Sequence, residues 1–196
     1  MIKARKETKR QKTITRTFRI KDNYDLILTK EAERQNISVN VLMDKILRRF
    51  ILFYRFTDRI SMINLPKRIL KEIVQYIPED QIEKKAEEFA SLDAVDFFSS
   101  LGYPRNYNSF IYLITEHFGS SKFAGWFQCF YHSLENQDFF HLQHDLGRKW
   151  SMFLDQYLRT ILKKIINIKV ESRIYDFAVT LKISHPPNTR KKDPMI

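Results

Sequence analysis

The chain has 196 residues, of which 43% are hydrophobic and 14% aromatic, so the sequence predicts a folded protein with a substantial core. It contains no apolar run of about 18 residues, and no apolar segment follows the basic N-terminus, so we expect neither a membrane span nor a secretory signal and favour the cytoplasm. A single cysteine, Cys129, excludes an intramolecular disulfide.

The net charge of +11 is concentrated near the N-terminus. Residues 1–60 carry 16 Lys and Arg against 7 Asp and Glu, and the remaining residues carry 18 against 16. Such a concentration favours a polyanionic partner, because basic groups displace the counterions of phosphate chains. A solvated basic tail is the alternative explanation.

Within the first 57 residues the spacing of apolar residues changes from a period of two, typical of a strand, to a period of 3.6, typical of a helix. Residues 1–11 are predicted to be a flexible basic arm, and residues 12–20, "KTITRTFRI", alternate as a strand does. A helix is predicted over 22–35 with Asp22 as its cap, and Asn36 is suited to a left-handed turn. Ser38 is predicted to cap a second helix that is apolar around most of its circumference, which indicates cover from another chain or domain.

The segment "TRTFRIKDNYDLILTKEAERQNISVNVLMDKILRRF" resembles the ribbon-helix-helix family of DNA-binding repressors, the Arc, MetJ and CopG type. It departs from the family at Lys21, where many members have proline, and at Asn36, where glycine is usual. The resemblance implies that two chains pair their strands into an antiparallel ribbon and intertwine their helices. The predicted dimer core consists of Ile14, Phe18, Ile20, Leu28, Leu42, Ile46 and Phe50.

The polar face of such a ribbon is narrow enough for the DNA major groove. Thr15, Thr17 and Arg19 lie on that face and are the predicted base-reading residues. The free N–H groups at the start of the second helix can bind a phosphate, and the basic arm can add phosphate or minor-groove contacts. The predicted phosphate-binding residues are Ser38, Val39, Asn40, Lys3, Arg5, Lys6, Lys9, Arg10 and Lys12.

The remainder predicts an α+β domain over residues 60–184, with helices packed on a small antiparallel or mixed sheet, followed by a disordered basic tail over 185–196. Together with a ribbon-helix-helix domain over 12–57, this makes an α+β chain of two domains. The predicted elements include a short strand at 59–65, a helix at 67–77, two helices at 79–92 and 93–102, and a helix at 109–118. Two hairpins, at 125–146 and 166–183, flank a long amphipathic helix at 148–166.

Two features of this second domain are compatible with a ligand. Cys129, His132, His141 and His144 are metal-ligating residue types, and a four-residue loop at 135–138 would place His132 opposite His141 and Cys129 opposite His144. The two pairs would then face opposite sides of the hairpin, which disfavours a single tetrahedral site. Aromatic residues between Phe97 and Phe140 could line an apolar pocket, although such residues are more often core.

The sequence therefore predicts a homodimeric transcriptional regulator, most simply a repressor, that acts at the nucleoid and is not an enzyme. No cofactor is predicted, and a metal or small-molecule effector of the second domain stays open. An antitoxin or partition-type protein, whose second domain binds a protein partner, is the alternative. A third interpretation makes the second domain a catalyst using His144 and Asp145, but no spacing specifies a reaction.

Overall fold

The computed structural model describes residues 14–55, 65–119, 125–134 and 136–184. Contacts divide the chain into two compact units, residues 1–46 and 47–196, which are described separately below. The described part has six α-helices and one antiparallel sheet of four strands, so the α+β prediction is confirmed. The arm, the tail and residues 59–64 of the predicted short strand lie outside the described residues.

The first unit contains two helices but no strand in its described residues. Residues 14–20 have no regular secondary structure, and α1 (Asp22–Arg34) and α2 (Val39–Arg49) follow at the predicted places. The predicted ribbon is therefore not formed within one chain. A strand is defined by its hydrogen-bonded neighbour, and the neighbour expected for this segment belongs to a second chain.

The turn between α1 and α2 uses the residues that the sequence singled out, with one exception. Asn36 has φ +54°, the predicted left-handed conformation, and Ser38 Oγ accepts a hydrogen bond from the Val41 N–H at 3.3 Å. The prediction that Asp22 caps α1 is wrong. Lys21 precedes the helix, and the Asp22 carboxylate, already in the first turn, accepts from the N–H of Asn23.

The helices of the second unit begin with a π-helical segment, Phe50–Tyr54, that follows α2. Helices α3 (Lys67–Tyr76) and α4 (Glu79–Leu101) meet at Pro78, and α5 (Tyr107–Tyr112) continues as π-helix over Leu113–Phe118. The prediction of two helices at 79–102 is wrong, because no glycine or proline interrupts this stretch before Gly102. Gly102 ends α4 with φ +70°, a conformation that glycine adopts without strain.

The sheet is built from two hairpins joined by the long helix. Its strands are β1 (Gln128–Leu134), β2 (Gln137–Gln143), β3 (Val170–Ile174) and β4 (Ala178–Ser184), in the order β1-β2-β4-β3. Helix α6 spans Arg148–Ile166, as predicted, and contacts β3 and β4. Both predicted hairpins are confirmed.

The core of the second unit lies between α6, α4 and one face of the sheet. Leu154, Leu158 and Leu162 of α6 are fully buried, as are Leu142 of β2 and Leu181 of β4. Ala86 and Ala90 are buried on α4, which makes extensive contact with α6. On β2 and β4 the opposite face carries the half-buried and exposed side chains, whereas on the edge strand β1 no residue is fully buried.

Five of the aromatic residues that could have lined an apolar pocket are core. Phe98, Phe110, Phe118, Phe127 and Phe140 are buried within one hydrophobic cluster. Phe110 and Phe140 meet edge to face with ring centroids 5.9 Å apart, and Phe118 stacks on Trp126 at 4.5 Å. Phe130 is instead exposed on the open face of the sheet. Across the described ranges, every helix is too short or too polar to cross a bilayer.

Candidate nucleic-acid interface

The segment that precedes α1 exposes an apolar row to solvent. Ile14 is 72% exposed, Phe18 59% and Ile20 43%. Together with Arg16, these residues lie on one side of the predicted strand, opposite Thr15, Thr17 and Arg19. Exposure of several large apolar side chains in a short segment is unfavourable in water and is typical of interaction surfaces.

The first unit has almost no core of its own among its described residues. Only Ala32 of α1 and Leu42 of α2 are fully buried there. The helices expose further large apolar side chains, each at least two-fifths accessible: Tyr24, Leu26, Ile27, Val41 and Ile46. A unit of this size cannot offset its conformational entropy with two buried side chains, so it requires additional apolar cover.

The remaining residues of the predicted dimer core are distributed in the same way. Leu42 is buried and Leu28 is half-buried, whereas Ile46 and Phe50 are exposed. Phe50 falls in the second unit, at the start of the π-helical segment. In a single chain, most of the predicted dimer core therefore faces solvent.

The predicted base-reading residues, Thr15, Thr17 and Arg19, are all exposed. Their side chains have no hydrogen-bond partner within the described ranges of the chain. Two hydroxyls and a guanidinium on a short segment are thus available to an external acceptor or donor. Arginine suits guanine O6 and N7, and threonine offers a hydroxyl or a methyl contact.

The start of α2 leaves backbone donors available. Ser38 is exposed and its hydroxyl satisfies the Val41 N–H, while the N–H groups of Val39 and Asn40 have no hydrogen-bond partner in the described part of the chain. Free N–H groups at a helix start, together with the helix dipole, favour an anion such as phosphate. The predicted phosphate contacts of the arm, Lys3, Arg5, Lys6, Lys9 and Arg10, lie outside the described residues, and so does Lys12 at the start of the predicted strand.

The end of α1 is tied to α2 by a short polar network. The Glu31 carboxylate accepts hydrogen bonds from Arg34 and Gln35, and Lys45 of α2 donates to the Gln35 side-chain oxygen at 3.1 Å. The hydrogen bond from Arg34, followed by that from Gln35, lowers the pKa of Glu31 to about 2. This network orients the two helices without using the residues predicted to contact DNA.

The four metal-ligand candidates of the second unit are not brought together. β1 and β2 are separated by only two residues, so His132 lies opposite Phe139 and Cys129 opposite Leu142, and the predicted pairing is wrong. The four-residue loop was an error because Asp138 is buried within β2, where its carboxylate accepts a hydrogen bond from the Tyr107 hydroxyl at 2.8 Å. The rings of His132 and His141 stack at 5.2 Å, and burial raises the pKa of the Cys129 thiol to about 12.

Two buried histidines are held neutral. His144 Nδ1 accepts from the Leu146 N–H, so its Nε2–H donates to Ser151 Oγ at 2.9 Å, and His117 Nε2 lies 3.2 Å from the Tyr103 hydroxyl. Burial lowers the pKa of each histidine to about 4, assisted at His117 by the charge of Arg55. A histidine whose Nε2 already donates to Ser151 cannot accept the serine proton, which argues against a serine-histidine catalytic pair here.

These histidines predict a pH dependence of stability. Between about pH 6.5 and pH 4 these histidines are protonated in the unfolded chain but remain neutral in the folded chain. Their contribution to the free energy of unfolding is therefore complete above this window and is lost as the pH falls through it. In urea unfolding between pH 4 and 7, His144→Gln should reduce the slope of unfolding free energy against pH, by up to about 1.4 kcal/mol per pH unit. The exposed His132→Gln variant is the control, and equal slopes for all three proteins would contradict the assignment.

No protein-family model matches the chain, and no curated protein or solved structure matches it. The ribbon-helix-helix interpretation therefore depends on the residues and geometry given above. Sequence reasoning did not group one further set of polar residues, Lys67, Gln128, Gln143 and Asp145, which line a common cleft. They come from α3, β1, β2 and the loop after β2, and no spacing in the sequence connects them.

Proposed function

We propose that this protein is a homodimeric, sequence-specific DNA-binding transcriptional regulator whose first unit is a ribbon-helix-helix domain. The observation that carries the proposal is the exposed row of Ile14, Phe18 and Ile20 beside a polar row of Thr15, Thr17 and Arg19. One side of this segment requires cover by protein, and the other consists of groups that recognise base edges. Pairing of two copies would cover the apolar side and leave the polar side available to DNA.

Energetics support a dimer over a solvated monomer. Burial of a large apolar side chain is worth about 1.5 to 3 kcal/mol, and each copy contributes three such side chains from the segment alone. Pairing also satisfies the backbone groups along one of the two edges that a lone strand leaves open. Folding of the first unit and dimerisation are then a single, concentration-dependent event.

The proposed complex divides its DNA contacts between two tasks. The polar face of the two-stranded ribbon enters the major groove, where Arg19 and the two threonines read bases. The N–H groups at the start of α2 bind a backbone phosphate and fix the register without reading sequence. The second unit contributes sensing or further oligomerisation.

The arm gives this proposal a test that is independent of the ribbon. Deletion of residues 1–11 removes five basic side chains, so it should weaken binding to all DNA similarly. The slope of log affinity against log salt should become shallower by about 0.9 for each phosphate that the arm neutralises in the wild type. Fluorescence anisotropy between low and moderate salt measures the slope, and an unchanged slope would exclude the arm from the interface.

The function itself is tested by selecting bound sequences from a pool of random duplex DNA. A ribbon-helix-helix dimer should enrich a site made of two related half-sites, and Arg19→Ala should change the enriched bases. If the wild-type chain enriched no sequence in this selection, sequence-specific binding would be contradicted. A nonspecific basic protein would enrich nothing and would still bind DNA.

A second candidate keeps the DNA-binding ribbon and gives the second unit a protein partner, as in antitoxin or partition proteins. The exposed side chains of Phe130 and Leu134 on β1 favour it, because edge strands with apolar side chains are common sites of protein association. Recovery of a stoichiometric partner that is released by charged substitutions at both positions would favour this candidate over the effector-sensing role.

A further inference from the structure

A cleft of about 300 Å³ lies at the end of the sheet where β1 begins and β2 ends. Its volume is at the lower end of the range for ligand sites, which indicates a small molecule. The residues that matter for its chemistry are Lys67, Phe127, Gln128, Gln143, His144 and Asp145. All of them belong to the second unit.

The charged groups of the cleft are one cation and one anion. Lys67 Nζ lies 3.3 Å from Asp145 Oδ1, and the two side chains are 56% and 69% exposed. An exposed pair of this kind contributes little to stability, at about 0–1 kcal/mol, so a ligand can engage either group at small cost. Lys67 has further N–H donors and Asp145 has a second oxygen, and both can bind a ligand while the pair persists.

Two carboxamides line the same cleft as this pair. Gln128 and Gln143 are directly opposite each other on β1 and β2, and neither side chain has a hydrogen-bond partner within the described part of the chain. Each offers two N–H donors and a carbonyl acceptor. Paired carboxamides beside a cation and an anion form a site for a polar molecule that carries no net charge.

The inner wall of the cleft is buried and does not add charge. Phe127 is fully buried and supplies an apolar surface. His144 is also buried, with Nδ1 accepting from the Leu146 N–H and Nε2–H donating to Ser151, so its ring is fixed and neutral. A phosphorylated ligand is disfavoured, because its charge would face Asp145 with only Lys67 to balance it.

We propose that the cleft binds a small zwitterion of the α-amino-acid class, with its carboxylate on Lys67 and its ammonium on Asp145. Gln128 and Gln143 then bind the polar atoms that remain. A ligand with a single charge would bind only one member of the ion pair and would lack the second charge-assisted hydrogen bond. The role of such a ligand as an effector rests on the proposed function, whereas its binding does not.

The test is isothermal titration calorimetry on the full chain, without DNA, with each of the twenty standard L-amino acids. Propionate and propylamine are the single-charge probes. At least one amino acid should bind, and Lys67→Gln and Asp145→Asn should each weaken it by about tenfold or more, because each removes a charge-assisted hydrogen bond. Neither single-charge probe should bind comparably.

The matched control is Asp176→Asn. Asp176 pairs with Arg148 at 3.5 Å, the two side chains are 69% and 57% exposed, and neither of them lines this cleft. This variant should bind the amino acid as the wild type does. Absence of heat with all twenty amino acids would overturn the proposal, as would binding unaffected by Lys67→Gln and Asp145→Asn, or propionate binding as tightly as any amino acid.

DNA titrations distinguish this proposal from the proposed function. A chain that binds an amino acid but selects no DNA sequence supports the cleft and contradicts the regulator. A chain that selects a DNA sequence but binds no amino acid supports the regulator and contradicts the cleft.

Discussion

Phe18→Asp is expected to convert the dimer into a monomer and to abolish sequence-specific DNA binding. Phe18 is 59% exposed in the single chain, and pairing of two ribbons would bury both copies. Loss of that burial removes about 3 to 6 kcal/mol per dimer, and two carboxylates brought into the same apolar layer add a desolvation cost. Sedimentation equilibrium should show one chain, 23.7 kDa, where the wild type shows two.

The control for this substitution is Phe177→Asp in the second unit. Phe177 is 53% exposed, nearly as much as Phe18, but it lies in the connection between β3 and β4. This variant should retain both the mass and the DNA affinity of the wild type. A wild-type chain that sediments as a monomer, or a Phe18→Asp chain that remains a dimer, would contradict the proposed packing.

Arg19→Ala is expected to cost about 1 to 3 kcal/mol in binding to the selected DNA site and much less on random DNA. A guanidinium binds guanine in a bidentate way only where that guanine is present, so specificity at one position should relax. Competition titrations with the selected site and with scrambled duplex measure both quantities. Equal reductions on the two DNAs would mean that Arg19 contacts only phosphate.

Arg16→Ala is the matched control, since it removes the same charge from the same segment. Arg16 shares its parity with Ile14 and Phe18, so it faces away from the predicted base-reading row. This substitution should reduce both affinities by a similar factor and leave the selected bases unchanged. Specificity that follows Arg16 and not Arg19 would show that the strand register is shifted by one residue.

Local patterns were sufficient to predict much of the fold. The apolar face of α6 and the alternation in the two hairpins determine elements that the structure contains at nearly the predicted residues. Asn36 was correctly predicted to adopt the left-handed conformation after α1, and the predicted helix end at residue 102 coincides with Gly102 at the end of α4, because few residues adopt positive φ without strain. In these cases each element is determined by residues within it or a few positions away in the sequence.

Features that depend on distant residues were predicted less well. Aspartate is common in loops, which favoured a loop position for Asp138. The Tyr107 hydroxyl, 31 positions earlier, donates a hydrogen bond to the Asp138 carboxylate and makes its burial possible. That burial shortens the loop and changes every cross-strand pair of the first hairpin, including those of His132 and Cys129. The polar cleft likewise joins Lys67 with residues some 60 to 80 positions later, and only the fold reveals their proximity.

The proposed ribbon needs two strands, and a single chain supplies only one of them. Its alternation, its exposed apolar row and its available polar row agree with one another, and in the proposed dimer the partner strand comes from another copy. The same dependence explains why the helices of the first unit are formed and the strand is not: α1 and α2 satisfy their own backbone, and an isolated strand cannot.

The distance between the two copies of residue 17 is the sharpest test of whether two chains pair their N-terminal segments. In a Cys129→Ser background, a spin label is attached to Thr17→Cys, which lies near the middle of the segment and on its polar side. Paired strands are about 5 Å apart, so we expect the two labels to lie roughly 20 Å apart or closer and to give strong dipolar broadening. This broadening should disappear on mixing with excess unlabelled chain. A spectrum without broadening at concentrations where the protein sediments as a dimer would contradict the ribbon.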